Sequence, residues 1–277
     1  MKIVFLILAG GGPEHINDEL TQRETWARSS QHLHHAIWIR SGDKLCYEEV
    51  GRTLFVPCKE KELLIKSLIA VDWVLKNIDF DVVVRTNVST FFHLNRLENV
   101  LSSLRFNANS YGGYLQFKPK KTKNSFPIYF ISGTGIFLGR ESAKELCKME
   151  QKEWQYVPDD IAISDFLASQ VHLNITSIPR LTLSNHHFFL PHFFIRCKTS
   201  WNPSLASKRM RNLYVFFSTE VVYRKIIVFL SIYWAEVIYS RKSPKAIWNY
   251  SVRIWVEIKE TILNKRVRNG KKFQKKN

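Results

Sequence analysis

Cysteine is scarce in this 277-residue chain: Cys46, Cys58, Cys147 and Cys197 form no CxxC pair and no dense framework. That excludes a disulfide-built scaffold, argues against a structural zinc site and fits a reducing cytosol. Long apolar runs are missing too. The first, Ile3 to Ala9, follows a single lysine, is too short to span a bilayer and precedes no small-residue cleavage site, so it reads as a buried first strand. Acids are in the minority, with 24 Asp and Glu against 41 Lys and Arg, for a formal net charge of +17. No internal repeat is present.

The positive excess is uneven, and its position decides what it implies. From Arg241 to Asn277 twelve Lys or Arg face only Glu257 and Glu260, so +10 of the +17 lies in this stretch. No nucleic-acid-binding motif accompanies it, so nucleic acid is not the expected partner; an anionic membrane surface is. Ile226 to Leu230 and Ile232 to Trp234, then Ile247, Ile254, Ile258 and Ile262 with Trp248 and Trp255, give apolar stripes that suit helices lying on a membrane or packed on the core. The expected organisation is a domain over residues 1–212 and an amphipathic, basic helical extension over residues 213–277. The expected location is cytoplasmic, peripheral on the membrane face.

Within 1–212 the pattern is α/β: a mostly parallel central sheet flanked by helices. Lys2 to Ala9 is continuous and apolar and stops at Gly10-Gly11-Gly12-Pro13, as a central parallel strand does. Ala36 to Arg40 and Thr53 to Val56 read as further strands. Leu64, Leu68, Val71, Leu75 and Ile78 recur at helical spacing before the apolar Asp81 to Val84, an α-then-β unit. Leu94, Leu97, Leu101 and Leu104 predict a helix, Tyr111 to Phe117 a strand, Ile136 to Met149 a strand and helix, and Val171 to Ile178 a strand. Asp159 and Asp160 after Pro158 suit the first turn of a helix, where the dipole favours acids.

Four segments in order resemble the β-1,3-galactosyltransferase and Fringe-like family of GT-A glycosyltransferases. Arg23-Glu24-Thr25-Trp26 matches R-x-T-W, and Lys66 falls where that family has a lysine on a helix. Phe80 to Phe91 (FDVVVRTNVSTF) aligns with a strand ending in K-T-D-D-D-V-F, Phe126 to Gly139 (FPIYFISGTGIFLG) with Y-P-x-Y-x-x-G-x-G-Y-V, and Pro158-Asp159-Asp160-Ile161 with E-D-V. The resemblance implies an inverting hexosyltransferase, with galactose or N-acetylhexosamine as candidate sugars. Its donor is a nucleotide sugar, and its acceptor a hydroxyl of a glycan, glycolipid or polysaccharide precursor.

The chemistry constrains the candidates. A departing diphosphate needs a metal or fixed cations, and Arg85 stands at a strand end with Thr86 beside it. Gly133 and Gly135 admit close backbone approach to a ligand, or make an ordinary glycine turn. Asp160, with Asp159 beside it, is the candidate base for an acceptor hydroxyl; the plainer reading makes the pair helix-start acids. The resemblance places Arg23, Lys66, Arg85, Thr86, Asn87, Ser89, Gly133, Gly135, His192, Arg196 and Lys198 around the donor. It departs at the metal motif, where Asn87-Val88-Ser89 replaces three acids. Mn²⁺ or Mg²⁺ on Asn87, Ser89 and His192 is then weakly held, or replaced by cations such as Arg85. The retained Asp-Asp and glycine segments favour an enzyme over an inactive sugar- or nucleotide-binding relative.

Overall fold

The computed structural model describes residues 1–28, 34–118, 128–154, 157–178, 180–182, 194–198 and 206–218. His192 and the basic extension from 219 onward lie outside the described residues.

The elements run β1 (Ile3–Leu8), α1 (Pro13–Glu24), β2 (His34–Gly42), β3 (Cys46–Glu48), β4 (Thr53–Pro57), α2 (Leu63–Asn77), β5 (Val82–Asn87), β6 (Thr90–Phe92), α3 (Leu94–Ser103) and β7 (Ser110–Lys118). After these come β8 (Ile128–Gly139), α4 (Arg140–Leu146), α5 (Asp159–Ala168), β9 (Asn174–Ser177), β10 (Leu181–Thr182), β11 (Phe194–Arg196) and α6 (Ala206–Ser218). An eight-stranded sheet has the order β3-β4-β2-β1-β5-β8-β7-β9, and a small sheet the order β10-β11-β6. β4, β2, β1 and β5 are mutually parallel, whereas β8 is antiparallel to both β5 and β7. This is the expected α/β sheet with helices on its faces, plus an antiparallel insertion on one side.

β1 is central because both of its faces are apolar. Val4, Leu6 and Leu8 join Leu64, Leu68 and Val71 of α2 and Leu167 of α5 in one core, while Ile3, Phe5 and Ile7 meet Trp26, Phe92 and Leu97 in the other. Each such side chain stabilises the fold by about 1.5–3 kcal/mol, and a strand that collects this on both sides must lie inside a sheet. α1 is different. It begins on Pro13, preset for a first helical turn, but buries polar residues: Gln22 donates to the carbonyls of Asn87 (3.2 Å) and Thr90 (3.0 Å) and accepts from Trp38 Nε1 (3.3 Å). Trp26 Nε1 donates to the Thr90 carbonyl at 3.1 Å, so the R-x-T-W segment ties α1 to the start of β6, as Gln22 just before it does to the end of β5.

α6 runs through position 212. Its Ala206, Met210 and Leu213 are buried in the core of β1, and Phe217 stacks on Phe91 with ring centroids 5.7 Å apart. No helix among the described residues is long and apolar enough to cross a membrane.

Candidate functional site

The strands β5 and β8 pair antiparallel from Val82↔Gly139 to Thr86↔Gly135. On its other edge β8 pairs with β7, but the ladder skips: Gly113 faces Ile136 and Leu115 faces Ile131, so residues 132–135 bulge out of register. Gly113, at φ +152°, sits where a Cβ would lie 2.2 Å from the Gly135 carbonyl oxygen, so only glycine fits. Gly133 and Gly135 are therefore inside a bulged strand, not in a turn. The hydroxyls of Thr86 (2.5 Å) and Thr90 (3.1 Å) both donate to the Thr134 carbonyl and pin the bulge to β5 and β6.

On one face of the bulge stand the two acids. Asp159 and Asp160 open α5, as the sequence predicts. Ser164 locks this turn: it donates to the Asp160 carbonyl at 2.6 Å and accepts from the Ile131 amide at 2.8 Å. Asp160 Oδ2 accepts from the Gly133 amide (3.1 Å) and Oδ1 from the Ile161 amide (3.0 Å). Burial pushes the Asp160 carboxyl above the usual carboxylate range, with Asp159 adding to the rise, while the two amides and Arg85 oppose it.

Arg85, predicted as a cation open to a diphosphate, is instead 2% exposed. Its guanidinium pairs with Asp159 and donates to the Gly133 carbonyl, with weaker contacts of 3.5 Å to Ser67 Oγ and Asn87 Oδ1. The reason is spatial: β5 aims residue 85 at the start of α5, where a carboxylate meets it. Arg85 thus positions Asp159 and the bulge next to Asp160. A Cβ on Gly133 would lie 2.5 Å from an Arg85 nitrogen, so this glycine makes room for the arginine. Gly135 makes room for Phe194, whose ring would lie 2.5 Å from such a Cβ. Both glycines serve contacts within the chain.

The other candidates divide. Lys66 is fully buried on α2 and reaches Glu60 Oε2 at 3.2 Å, with the Glu60 side chain about half exposed. Arg23 pairs with Glu19 at 2.8 Å and lies 3.7 Å over the Trp38 ring, so its contacts hold α1 against β2 and none of them joins the Asp160 cluster. Ser89 is buried, and its carbonyl accepts from the Cys197 amide at 2.9 Å. Lys198 is half-buried; burial pushes the Asp18 carboxyl up, and the charge of Lys198 is among the smaller influences that oppose the rise. Arg196 pairs across the small sheet with Thr90.

No three His, Cys, Asp or Glu side chains converge as a metal-ligand set among the described residues. Asn87 Oδ1 already faces Arg85, and Ser89 offers at most a neutral hydroxyl, so these residues do not form the anionic cage that Mn²⁺ or Mg²⁺ prefers.

One residue was missed by sequence reasoning. Arg180, just before β10, is 8% exposed and donates from one nitrogen to Ser132 Oγ (2.8 Å) and Thr134 Oγ1 (2.6 Å), with its guanidinium 4.1 Å over the Tyr114 ring. Burial, then the nearby Arg196, push its pKa down to about 10. Its only sequence signal is a lone arginine within the otherwise uncharged Ile175 to Asn185 stretch.

No family model and no curated protein matches the sequence. Among solved structures, a glycosyltransferase involved in glycosylating the major capsid of PBCV-1 is similar at a TM-score of 0.51 and 10% identity, over 76% of this chain and 99% of that one. The galactosyltransferase LgtC, solved with donor and acceptor sugar analogs, aligns at a TM-score of 0.45 and 10% identity, over 80% and 98%. The first likeness shows a shared fold, of the GT-A glycosyltransferase type.

Proposed function

We propose that the chain transfers a sugar from a nucleotide donor to a hydroxyl of a glycan, glycolipid or polysaccharide precursor, with Asp160 as general base. The observation that carries this is the state of Asp160: a partly desolvated carboxylate at the start of α5, held beside the bulge by the Gly133 and Ile161 amides. A carboxylate whose pKa is raised by burial is a stronger base while still ionised, which suits proton removal from an alcohol. The proton of the acceptor hydroxyl passes to Asp160 as its oxygen attacks the anomeric carbon. The bond from that carbon to the diphosphate breaks, and the nucleoside diphosphate leaves from the opposite face. One displacement inverts the anomeric centre, in keeping with the Fringe-like resemblance and with a hexose such as galactose or N-acetylhexosamine.

Arg85 and Asp159 are positioning residues in this reading. Their ion pair fixes the start of α5 against the bulge, so the Asp160 carboxylate keeps its orientation. The described residues do not fit a divalent cation, so no step is routed through one. The basic residues 241–277 support work at an anionic membrane surface, where lipid-linked acceptors reside.

The test is nucleotide release from a panel of nucleotide sugars by the wild type and by Asp160→Asn. Turnover that falls by about 10²–10⁴-fold in the variant, with donor affinity retained, supports the reading. A second reading, a non-catalytic nucleotide- or sugar-binding relative, is favoured by the neutral Asn87-Val88-Ser89 segment. It predicts donor binding with no turnover in either protein.

A further inference from the structure

Arg180 carries a buried charge with no counter-charge among the described residues. Among the described residues no carboxylate lies within ion-pair distance of it, and its Nε is buried without any acceptor. Its partners are two neutral hydroxyls and a ring face, which orient a guanidinium but do not neutralise it. Arg196, half-buried at the end of β11, pairs with Thr182 of β10, the strand that directly follows Arg180, and its positive charge acts on Arg180. Burying a guanidinium without an anion is costly, and a second positive charge acting on it adds to that cost. The arrangement becomes favourable when an anion with several acceptor oxygens enters, because arginine forks match phosphoryl oxygens in geometry and charge.

We propose that Arg180 and Arg196, with the hydroxyls of Ser132 and Thr134, form an oxyanion subsite that binds a phosphoryl group without a metal ion. The assignment rests on the glycosyl-transfer reading, in which the donor's diphosphate is the first source of such a group and a phosphorylated acceptor the second. Its location suits that role. Gly133, between Ser132 and Thr134, gives its amide to Asp160, so the base and the subsite flank the same bulge. The disagreement at Asn87 and Ser89 then has a physical answer: charge that the acids and metal handle in the similar family is met here by fixed guanidinium groups.

The experiment is calorimetric titration of the full-length chain with inorganic pyrophosphate in EDTA, followed by orthophosphate and UDP. Binding that EDTA leaves unchanged, weakened about 10- to 100-fold in Arg180→Gln and in Arg196→Gln, is the expected result. Arg196→Gln, at a half-buried position, keeps the test open if Arg180→Gln does not fold. UDP and pyrophosphate binding well above orthophosphate points to the donor; equal binding of orthophosphate points to a phosphorylated acceptor, and both support the subsite. No pyrophosphate binding by the wild type, binding that requires Mn²⁺, or unchanged affinity in both folded variants overturns it. Pyrophosphate binding without any sugar transfer would leave the subsite standing and remove the transferase reading.

Discussion

Arg85 and Arg180 lie on opposite faces of the bulge at residues 132–135, both nearly sealed from solvent at 2% and 8% exposure, yet their surroundings differ in kind. Arg85 meets the Asp159 carboxylate and a backbone carbonyl. Arg180 meets Ser132, Thr134 and the Tyr114 ring, with another arginine nearby. The difference teaches that burial alone does not say what an arginine is for. A guanidinium with a carboxylate is complete within the protein and acts as a fastener, whereas one with only neutral partners retains positive potential that a ligand can use.

The sharpest way to break that comparison is to remove each charge in turn. Arg85→Met leaves the largely enclosed Asp159 carboxylate, 13% exposed at its side chain, without its cation, and is expected to cost about 3–5 kcal/mol. Arg180→Met strands no carboxylate, and Ser132 and Thr134 are already 3.1 Å apart and able to bond each other, so without phosphate its effect should stay within about 1 kcal/mol. Urea melts of the two variants measure the contrast. Equal losses would show that Arg180 is as much a fastener as Arg85.

The sequence foretold the first face better than the second. β1, β2, β4 and β5 are legible because parallel strands buried on both sides must be continuously apolar, and α2 because its leucines keep helical spacing. Asp159 and Asp160 fall at the start of α5 because acids there meet the helix dipole. The bulge was not legible: Gly133-Thr134-Gly135 has the composition of a turn, and only the skip between Gly113 and Leu115 shows that it lies inside a strand. β3 was missed because three residues carry no periodicity. Arg85's carboxylate partner and Arg180's neutral ones were both invisible, since a linear pattern does not say which side chains from distant segments meet.

Gly135→Ala tests the packing that holds the Arg180 face. The new Cβ would lie 2.5 Å from the Phe194 ring, which is itself stacked on Phe92 at 5.1 Å and enclosed by Phe137, so neither neighbour can yield cheaply. The expected cost is about 1–3 kcal/mol, read as a lower thermal midpoint. A variant as stable as the wild type would mean that β11 can move away from the bulge.

Asp160→Asn is expected to raise stability by about 1 kcal/mol at pH 7 while lowering turnover by about 10²–10⁴-fold, because a desolvated carboxylate is kept for function at a cost to the fold. The sign follows from its raised pKa. The stability contributed by the Asp160 carboxyl is fully present below the ordinary carboxylate range and is lost as pH rises through the folded value. The variant's advantage should therefore be largest at neutral pH and shrink as the solution is acidified through that raised pKa. Turnover by the wild type should fall over the same acid window, as the base becomes protonated. Melting curves and rates measured from pH 4 to about 8 check both, and an advantage that grows on acidification contradicts the desolvation of Asp160.

The smallest effect is expected from Ser132→Ala, and its smallness is informative. Arg180 divides one nitrogen between Ser132 Oγ at 2.8 Å and Thr134 Oγ1 at 2.6 Å, so losing the serine leaves the closer acceptor in place. The Ser132 hydroxyl also neighbours Thr134 Oγ1, and the Thr134 amide donates to it at 3.5 Å, a contact too long to hold much energy. The net loss should be about 0.5–1 kcal/mol in stability, and pyrophosphate affinity should fall by no more than about threefold, because the guanidinium keeps its charge and its seat on Tyr114. Thr134→Val removes the closer hydroxyl and should weaken pyrophosphate more than Ser132→Ala does, while the carbonyl bonds from Thr86 and Thr90 still hold the bulge. If instead both variants leave pyrophosphate binding untouched and Tyr114→Leu destroys it, the ring and not the hydroxyls orients Arg180.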